Sequence, residues 1–267
     1  MNVAGERLFH RGGIAITEVQ ASGDRLALLD RTLVVIPALN EEQTLPGVLR
    51  ELKEHCPYAD ILVIDDGSSD RTAAVAASGG APVVRLPFRL GVGGAMRAGY
   101  RYAARNGYDV VVQVDADGQH DPSYIGTLIK GLQDADVVIG ARFAGLGDYQ
   151  AGRGPRRWAM RLLAAVLSRL AKTRLTDVTS GFRAAGPRAI RVFAEHYPAE
   201  YLGDTVESLV IAIRSSCTVR QVPVAMRTRA GGRASQSPVQ ATLYLFRAVC
   251  ALGLALVRRW SGAPRVT

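Results

Sequence analysis

Residues 109–122 read DVVVQVDADGQHDP, an apolar run that ends abruptly in carboxylates, an amide and an imidazole. Four valines in the first six positions, without helical spacing, are the pattern of a strand buried on both faces. The polar cluster then falls where an open α/β sheet takes its ligands, outside the carboxyl ends of the strands. The same arrangement recurs along the chain. The run 32–36 (TLVVI) leads into PALNEE, 61–64 (ILVI) leads into DDGSSD, and 82–86 (PVVRL) leads into GVGGA; a fifth run, 135–139 (ADVVI), follows.

Helical patterns separate these runs. Leu45, Val48, Leu49 and Leu52 share one helical face, with Pro46 in the first turn and Thr44 as the expected cap. An Ala-rich helix is expected over 71–77, capped by Ser69 or Asp70, then one over 91–105 and one over 158–170. Strand and helix in alternation predict an α/β fold with a Rossmann-like, mostly parallel central sheet and helices on both faces. The expected organisation is an extension at 1–31, with a strand over 13–19, a domain at 32–235, and an apolar and basic C-terminal helix at 236–267.

The chain has 267 residues, the length of one large domain or two small ones. Its net charge of +9 is unevenly spread. Residues 1–150 hold 14 basic and 19 acidic residues, whereas 151–267 hold 19 basic and only 5 acidic. The second half is therefore expected to face something anionic: phosphate, an acidic membrane surface or nucleic acid. An aromatic content of 6% and the lack of an aromatic-rich basic strip exclude nucleic acid as the partner. Cys56, Cys217 and Cys250 are odd in number and far apart, which excludes a disulfide framework and a zinc ribbon. Residues 1–31 carry Glu6, Arg7, Arg11, Glu18, Asp24 and Arg25 and no apolar run, so no signal peptide is expected. The stretch 239–257 is apolar but interrupted by Gln240, Thr242 and Arg247 and followed by Arg258, Arg259 and Trp260. That mix suits a helix lying on a membrane surface, or packing, better than a span. The 158–170 helix, with Arg161 and Arg169, could also lie among headgroups. Core packing, or burial against a second copy in a homodimer, is the alternative for both.

Three clusters carry chemistry. Asp115-Ala116-Asp117 places two carboxylates at a strand end, and Gln119 adds an amide oxygen. A hard divalent cation takes such oxygens together with substrate phosphates; the plainer reading is a solvated turn. Asp65 and Asp66 precede a helix start and could accept hydrogen bonds from a base or ribose. Gly91, Gly93 and Gly94 lack the complete dinucleotide fingerprint, so close packing competes with amides that face phosphate.

VVIPALNEE (34–42), VIDDGSSDRT (63–72), RLGVGGAMRAGY (89–100), VDADGQHDP (114–122) and DVTSGFRA (177–184) together resemble the family 2 glycosyltransferases of GT-A fold. The similarity covers roughly 32–230 and is strongest to the dolichyl- or polyprenyl-phosphate sugar synthases. It implies that Pro37, Ala38, Asn40, Glu41 and Ala116 line the nucleotide pocket and that Asp65 and Asp66 hold base and ribose. It implies that Asp115, Asp117 and Gln119 hold Mg²⁺ or Mn²⁺ against the diphosphate, Asp117 being indispensable for turnover. Ser180, Gly181, Phe182 and Arg183 would border the sugar and acceptor, with Arg183 near an anionic group. The reaction so implied is an inverting transfer of a hexose from a UDP- or GDP-sugar to polyprenyl phosphate, at the inner, cytoplasmic face of the cell membrane. A phosphate acceptor is already anionic and needs positioning, for which Arg183, Arg227, Arg229 and Arg233 are candidates. A glycan or other hydroxyl acceptor needs a general base, for which Asp204 and Glu207 are candidates.

Overall fold

The computed structural model describes residues 31–142, 155–198 and 204–228. The expected strand at 13–19, the stretch 239–257, Cys250, Arg229, Arg233 and the Asp204 side chain lie outside the described residues and side chains. Seven strands form one sheet: β1 (Thr32–Ala38), β2 (Asp60–Asp65), β3 (Val83–Arg85), β4 (Val110–Gln113), β5 (Val137–Ala141), β6 (Arg183–Ala185) and β7 (Val219–Pro223). Their order is β3-β2-β1-β4-β6-β5-β7. β6 runs antiparallel between β4 and β5, and every other pairing is parallel. The sheet is therefore mixed, α/β and mostly parallel.

Both faces are covered, which explains the uninterrupted apolar runs. Val34, Ile36, Val63, Val112 and Val138 pack under helices α1 (Leu45–His55), α2 (Thr72–Ser78) and α4 (Ile125–Gly131). Leu33, Val35, Leu62, Ile64, Val111 and Ile139 pack against α3 (Gly91–Arg105), α5 (Pro155–Ala171), α6 (Pro187–His196) and α7 (Asp204–Arg214). A side chain at Gly99 would stand 2.5 Å from Val35 Cγ1, so this glycine sets how closely α3 approaches β1. Gly94 likewise leaves no room against Leu90. Packing thus accounts for Gly94, while Gly91 takes a left-handed φ of 82° at the start of α3.

Of the expected caps, Thr44 is corrected and the choice between Ser69 and Asp70 is narrowed to one. Thr44 does precede α1 but makes no capping bond; its hydroxyl donates to Glu41 Oε2 (2.6 Å). At α2, Asp70 rather than Ser69 accepts the Thr72 amide (2.9 Å). Cys56 and Cys217 are buried free thiols. Among the described residues, no helix is long and apolar enough to cross a membrane.

The register decides which residues meet. Gln113 pairs with Val35 on one side and with Arg183 on the other. Because β6 is antiparallel, stepping two residues beyond Gln113 along β4 brings Asp115 opposite Gly181.

Candidate active site

The ends of β1 and β2 are stitched to each other. The Asn40 amide donates to Ser68 Oγ (2.9 Å), Glu41 N–H to Thr72 Oγ1 (2.8 Å) and Glu42 N–H to Asp70 Oδ2 (3.2 Å). In return, Ser69 N–H donates to Asn40 Oδ1 (2.9 Å) and Arg71 N–H to Glu42 Oε2 (3.0 Å). Asn40 holds a left-handed φ of 56° to make these turns. Pro37, Ala38, Asn40, Glu41 and Asp65 are thereby gathered at one end of the sheet. Burial alone would raise the Asp70 carboxyl, but bonds from the Thr72 hydroxyl and amide and the Glu42 amide hold it below the usual range.

The two aspartates at the end of β2 have different surroundings. Asp65 is fully buried; its Oδ1 accepts Ser68 N–H (2.9 Å). Oδ2 has an ion-pair contact with Arg85 Nε at 3.3 Å but no hydrogen-bond partner among the described residues. Asp66 has both oxygens occupied, by the amides of Leu90 (2.7 Å) and Gly91 (2.8 Å) at the start of α3. Asp66, expected to hold base or ribose, caps the start of α3 with both oxygens. Those first amides, which could have faced a phosphate, are taken by Asp66.

Residues 115–120 form a loop closed on itself. Asp117, which is buried, accepts Gln119 N–H through Oδ1 (3.0 Å), and the buried Ala116 lies between the two aspartates. Gly118 has a φ of 77°, a turn that a residue with a side chain rarely takes. Asp115 N–H donates to His120 Nδ1 (3.0 Å), and Gln113 Nε2 donates to Asp115 Oδ1 (3.1 Å). The Asp115 side chain is 38% exposed. On its other flank, a Cβ at Gly181 would stand 3.2 Å from Oδ2, so the Ser180–Gly181 turn lies directly against the carboxylate.

Other expected site residues turn inward. Arg183 is 4% exposed, and all three of its nitrogens are engaged: Nε with Ser180 O (2.7 Å), Nη2 with Val178 O (2.9 Å) and Nη1 with Ser208 Oγ (3.0 Å). Expected near an anionic group, Arg183 ties the 178–180 turn to α7. Ser180 is buried, and its hydroxyl accepts Phe182 N–H (3.3 Å). Arg227, expected at the acceptor, is bonded to Glu51 and pairs with Asp121 Oδ1 at 3.1 Å. Its own N–H donates to Gln119 O (3.0 Å). The Glu51 bond leads in raising the Arg227 pKa. Glu207 is half-buried on α7, one residue before Ser208.

Sequence reasoning passed over Arg142. It follows the apolar run of β5 and grips the fully buried Asp177 in a fork, Nε at 2.6 Å and Nη2 at 2.9 Å, while Nη2 also reaches Thr179 Oγ1 (3.0 Å). A first polar residue after a buried strand was the available signal.

Two carboxylates and an amide oxygen at 115–119 are a hard-cation donor set. Among the described residues no three of His, Cys, Asp and Glu are grouped to hold a metal ion. A hard cation held by one or two carboxylates completes its shell with substrate phosphate and water. The part-exposed Asp115 can reach such an ion, so the residues fit Mg²⁺ or Mn²⁺.

Residues 33–196 match the sequence profile of glycosyl transferase family 2. An undecaprenyl-phosphate mannosyltransferase of Micrococcus luteus is 35% identical over 219 residues, 78% of this chain and 82% of the relative. A polyprenol monophosphomannose synthase of Mycolicibacterium smegmatis is 37% identical over 169 residues, 58% of this chain and 61% of the relative. The fold is shared with glucosyl-3-phosphoglycerate synthase of Mycobacterium tuberculosis, solved with Mn²⁺, UDP and glucosyl-3-phosphoglycerate. There the TM-score is 0.66 at 22% identity, covering 96% of this chain and 88% of that one.

Proposed function

The chain belongs to glycosyl transferase family 2, and from that membership we propose that it moves a hexose from a nucleotide-diphosphate sugar to a polyprenyl phosphate at a membrane surface. That it is a glycosyltransferase of GT-A-like fold is the premise; donor, acceptor and location are the proposal. The observation that carries it is the closeness of Gly181 to the Asp115 carboxylate, where a Cβ would stand 3.2 Å from Oδ2. It joins the acidic loop on the donor side to the 177–184 segment on the acceptor side. The names of the two relatives support a polyprenyl-linked phosphate as acceptor.

In this reading Pro37, Ala38, Asn40 and Glu41 line the nucleotide pocket. Asp65, at the end of β2 beside these residues, holds base or ribose with Arg85 paired to its Oδ2 at 3.3 Å. Asp115, Asp117 and Gln119 hold Mg²⁺ or Mn²⁺, with Ala116 beside the donor. The cation supplies stabilisation of the negative charge that grows on the departing diphosphate. Ser180 and Gly181 border the sugar. Arg229 and Arg233 remain candidates for positioning the acceptor phosphate.

Membrane contact is supported by the outer face of α5. Arg161, Leu162, Arg169 and Leu170 are exposed there, Leu162 by 57%, and residues 155–176 contain no Asp or Glu. Basic and apolar side chains on one helix face suit an anionic headgroup layer.

The test is a panel of UDP- and GDP-sugars with Mn²⁺ and a short polyprenyl phosphate. One donor should yield a lipid-linked product, and Asp117→Ala should abolish it without unfolding the protein. Asp204→Asn and Glu207→Gln should each retain most activity, since a phosphate acceptor needs no base. Product formed by wild type only on a saccharide, and lost in either variant, would point to the hydroxyl-acceptor reaction instead.

A further inference from the structure

The acidic loop is held by a residue to which neither the sequence motif nor the relatives assign a role. His120 is 5% exposed, and its ring lies flat on Phe182, with centroids 4.8 Å apart and planes inclined by 14°. Nδ1 accepts the Asp115 amide, so a singly protonated ring carries its hydrogen on Nε2. Nε2 lies 3.6 Å from Asp115 Oδ2. One imidazole thus addresses both the backbone and the carboxylate of Asp115. Its main chain faces the other way, in an antiparallel bridge with Met226.

We propose that His120 is a positioning residue that sets the Asp115 carboxylate for the divalent ion and diphosphate. The inference rests on the reading of 115–119 as the diphosphate end of the site. The supporting physics is geometric. Asp115 sits beyond the last paired residue of β4, so no ladder bond fixes it. Three neighbours restrain it instead: Gln113 on Oδ1, the Gly181 turn on one flank and His120 on its amide. Gln113 is itself in the sheet and Gly181 only excludes space. His120 is the restraint that bonds to the backbone and so fixes where the side chain starts. Groups that orient metal ligands in this way typically govern affinity by 10–100-fold.

Two variants separate orientation from packing. His120→Phe keeps a flat ring against Phe182 and removes both ring nitrogens. His120→Asn loses most of the ring and restores an acceptor near the Nδ1 position. Binding of Mn²⁺ with UDP, and separately with GDP, is measured by calorimetry or Mn²⁺ electron spin resonance, with thermal melting alongside. Wild type should bind with one of the two nucleotides. His120→Phe should melt close to wild type yet bind at least about 10-fold more weakly. His120→Asn should recover much of that loss even where it melts lower. Equal affinity in His120→Phe and wild type would overturn the proposal. So would affinity that follows melting temperature across the variants, which marks His120 as packing alone. Absence of binding in wild type itself would instead overturn the reading of 115–119.

Discussion

Asp66 offers the sharpest test of how this end of the sheet is built. Its two oxygens receive the amides of Leu90 and Gly91, where α3 begins. Hydrogen bonds to a charged acceptor contribute about 1.5–3 kcal/mol each. Gly91 is buried and its amide has no route to water, so Asp66→Ala forfeits the upper part of that range there. Leu90 is 37% exposed and its amide can be hydrated, so the second loss is nearer 0.5–1 kcal/mol. Removing the buried carboxylate also removes its desolvation cost, which trims the sum. The net expectation is about 2–3 kcal/mol, read as a lower urea midpoint at unchanged slope. Asp66→Asn should fall between, because its amide oxygen accepts one N–H while its NH₂ faces the other. A loss under about 1 kcal/mol in Asp66→Ala, accompanied by lost UDP or GDP binding, would refute the capping argument. It would return Asp66 to the ligand.

Gly181→Ala should cost little stability but weaken Mn²⁺–nucleotide binding by about 10-fold, since its Cβ would stand 3.0 Å from Gln113 Nε2 and 3.2 Å from Asp115 Oδ2, crowding the pair that orients the carboxylate; titration calorimetry reads this directly. Asp177→Ala should destabilise by about 3–5 kcal/mol in chemical unfolding, because it strands the Arg142 guanidinium that the fork now neutralises. Combined with Arg142→Met, the loss should be smaller than the two single losses added. The carboxyl pKa values of Asp70 and Asp121 are both lowered: burial pushes each up, but bonds from Thr72 and Glu42 in one case, and from Ser123 and Arg227 in the other, outweigh it. A lowered folded-state pKa gives stability that is complete above the unfolded value of about 3.9 and lost as pH falls through the folded one. Asp70→Asn should therefore flatten the acid limb of a stability–pH curve below about pH 4, leaving the neutral region parallel to wild type.

Much of the molecule was legible because its strands are buried on both faces. The runs at 32–36, 61–64, 82–86, 109–114 and 135–139 all fall on strands within a residue or two. β6 was read as a motif instead. It is three residues long and begins with an arginine, so it offers no apolar period, and nothing in a strand's composition encodes its direction. β7, with Arg220 and Gln221 inside it, was hidden for the same reason. At the site, the rule that polar groups gather at strand ends located 37–42, 65–70 and 115–120. It could not say which of those groups face a ligand. Asp66 and Arg183 turn inward because their partners, Leu90, Gly91 and Ser208, are distant in sequence and brought close only by packing. A carboxylate or guanidinium looks the same in a sequence whether it awaits substrate or is already satisfied.

The antiparallel strand also orders events while the chain is being made. Within the sheet β5 pairs only with β6 and β7, and β6 is its sole link to the first half of the sheet. Residues 142–182 must leave the ribosome before that link exists, a delay of roughly two to eight seconds at ordinary rates of synthesis. Through that interval Val137–Ala141 is an apolar strand with two open edges, the kind of segment that invites mispairing with a neighbouring nascent chain. Translation speed across 142–182, more than final stability, should therefore govern how much of this protein reaches its native state.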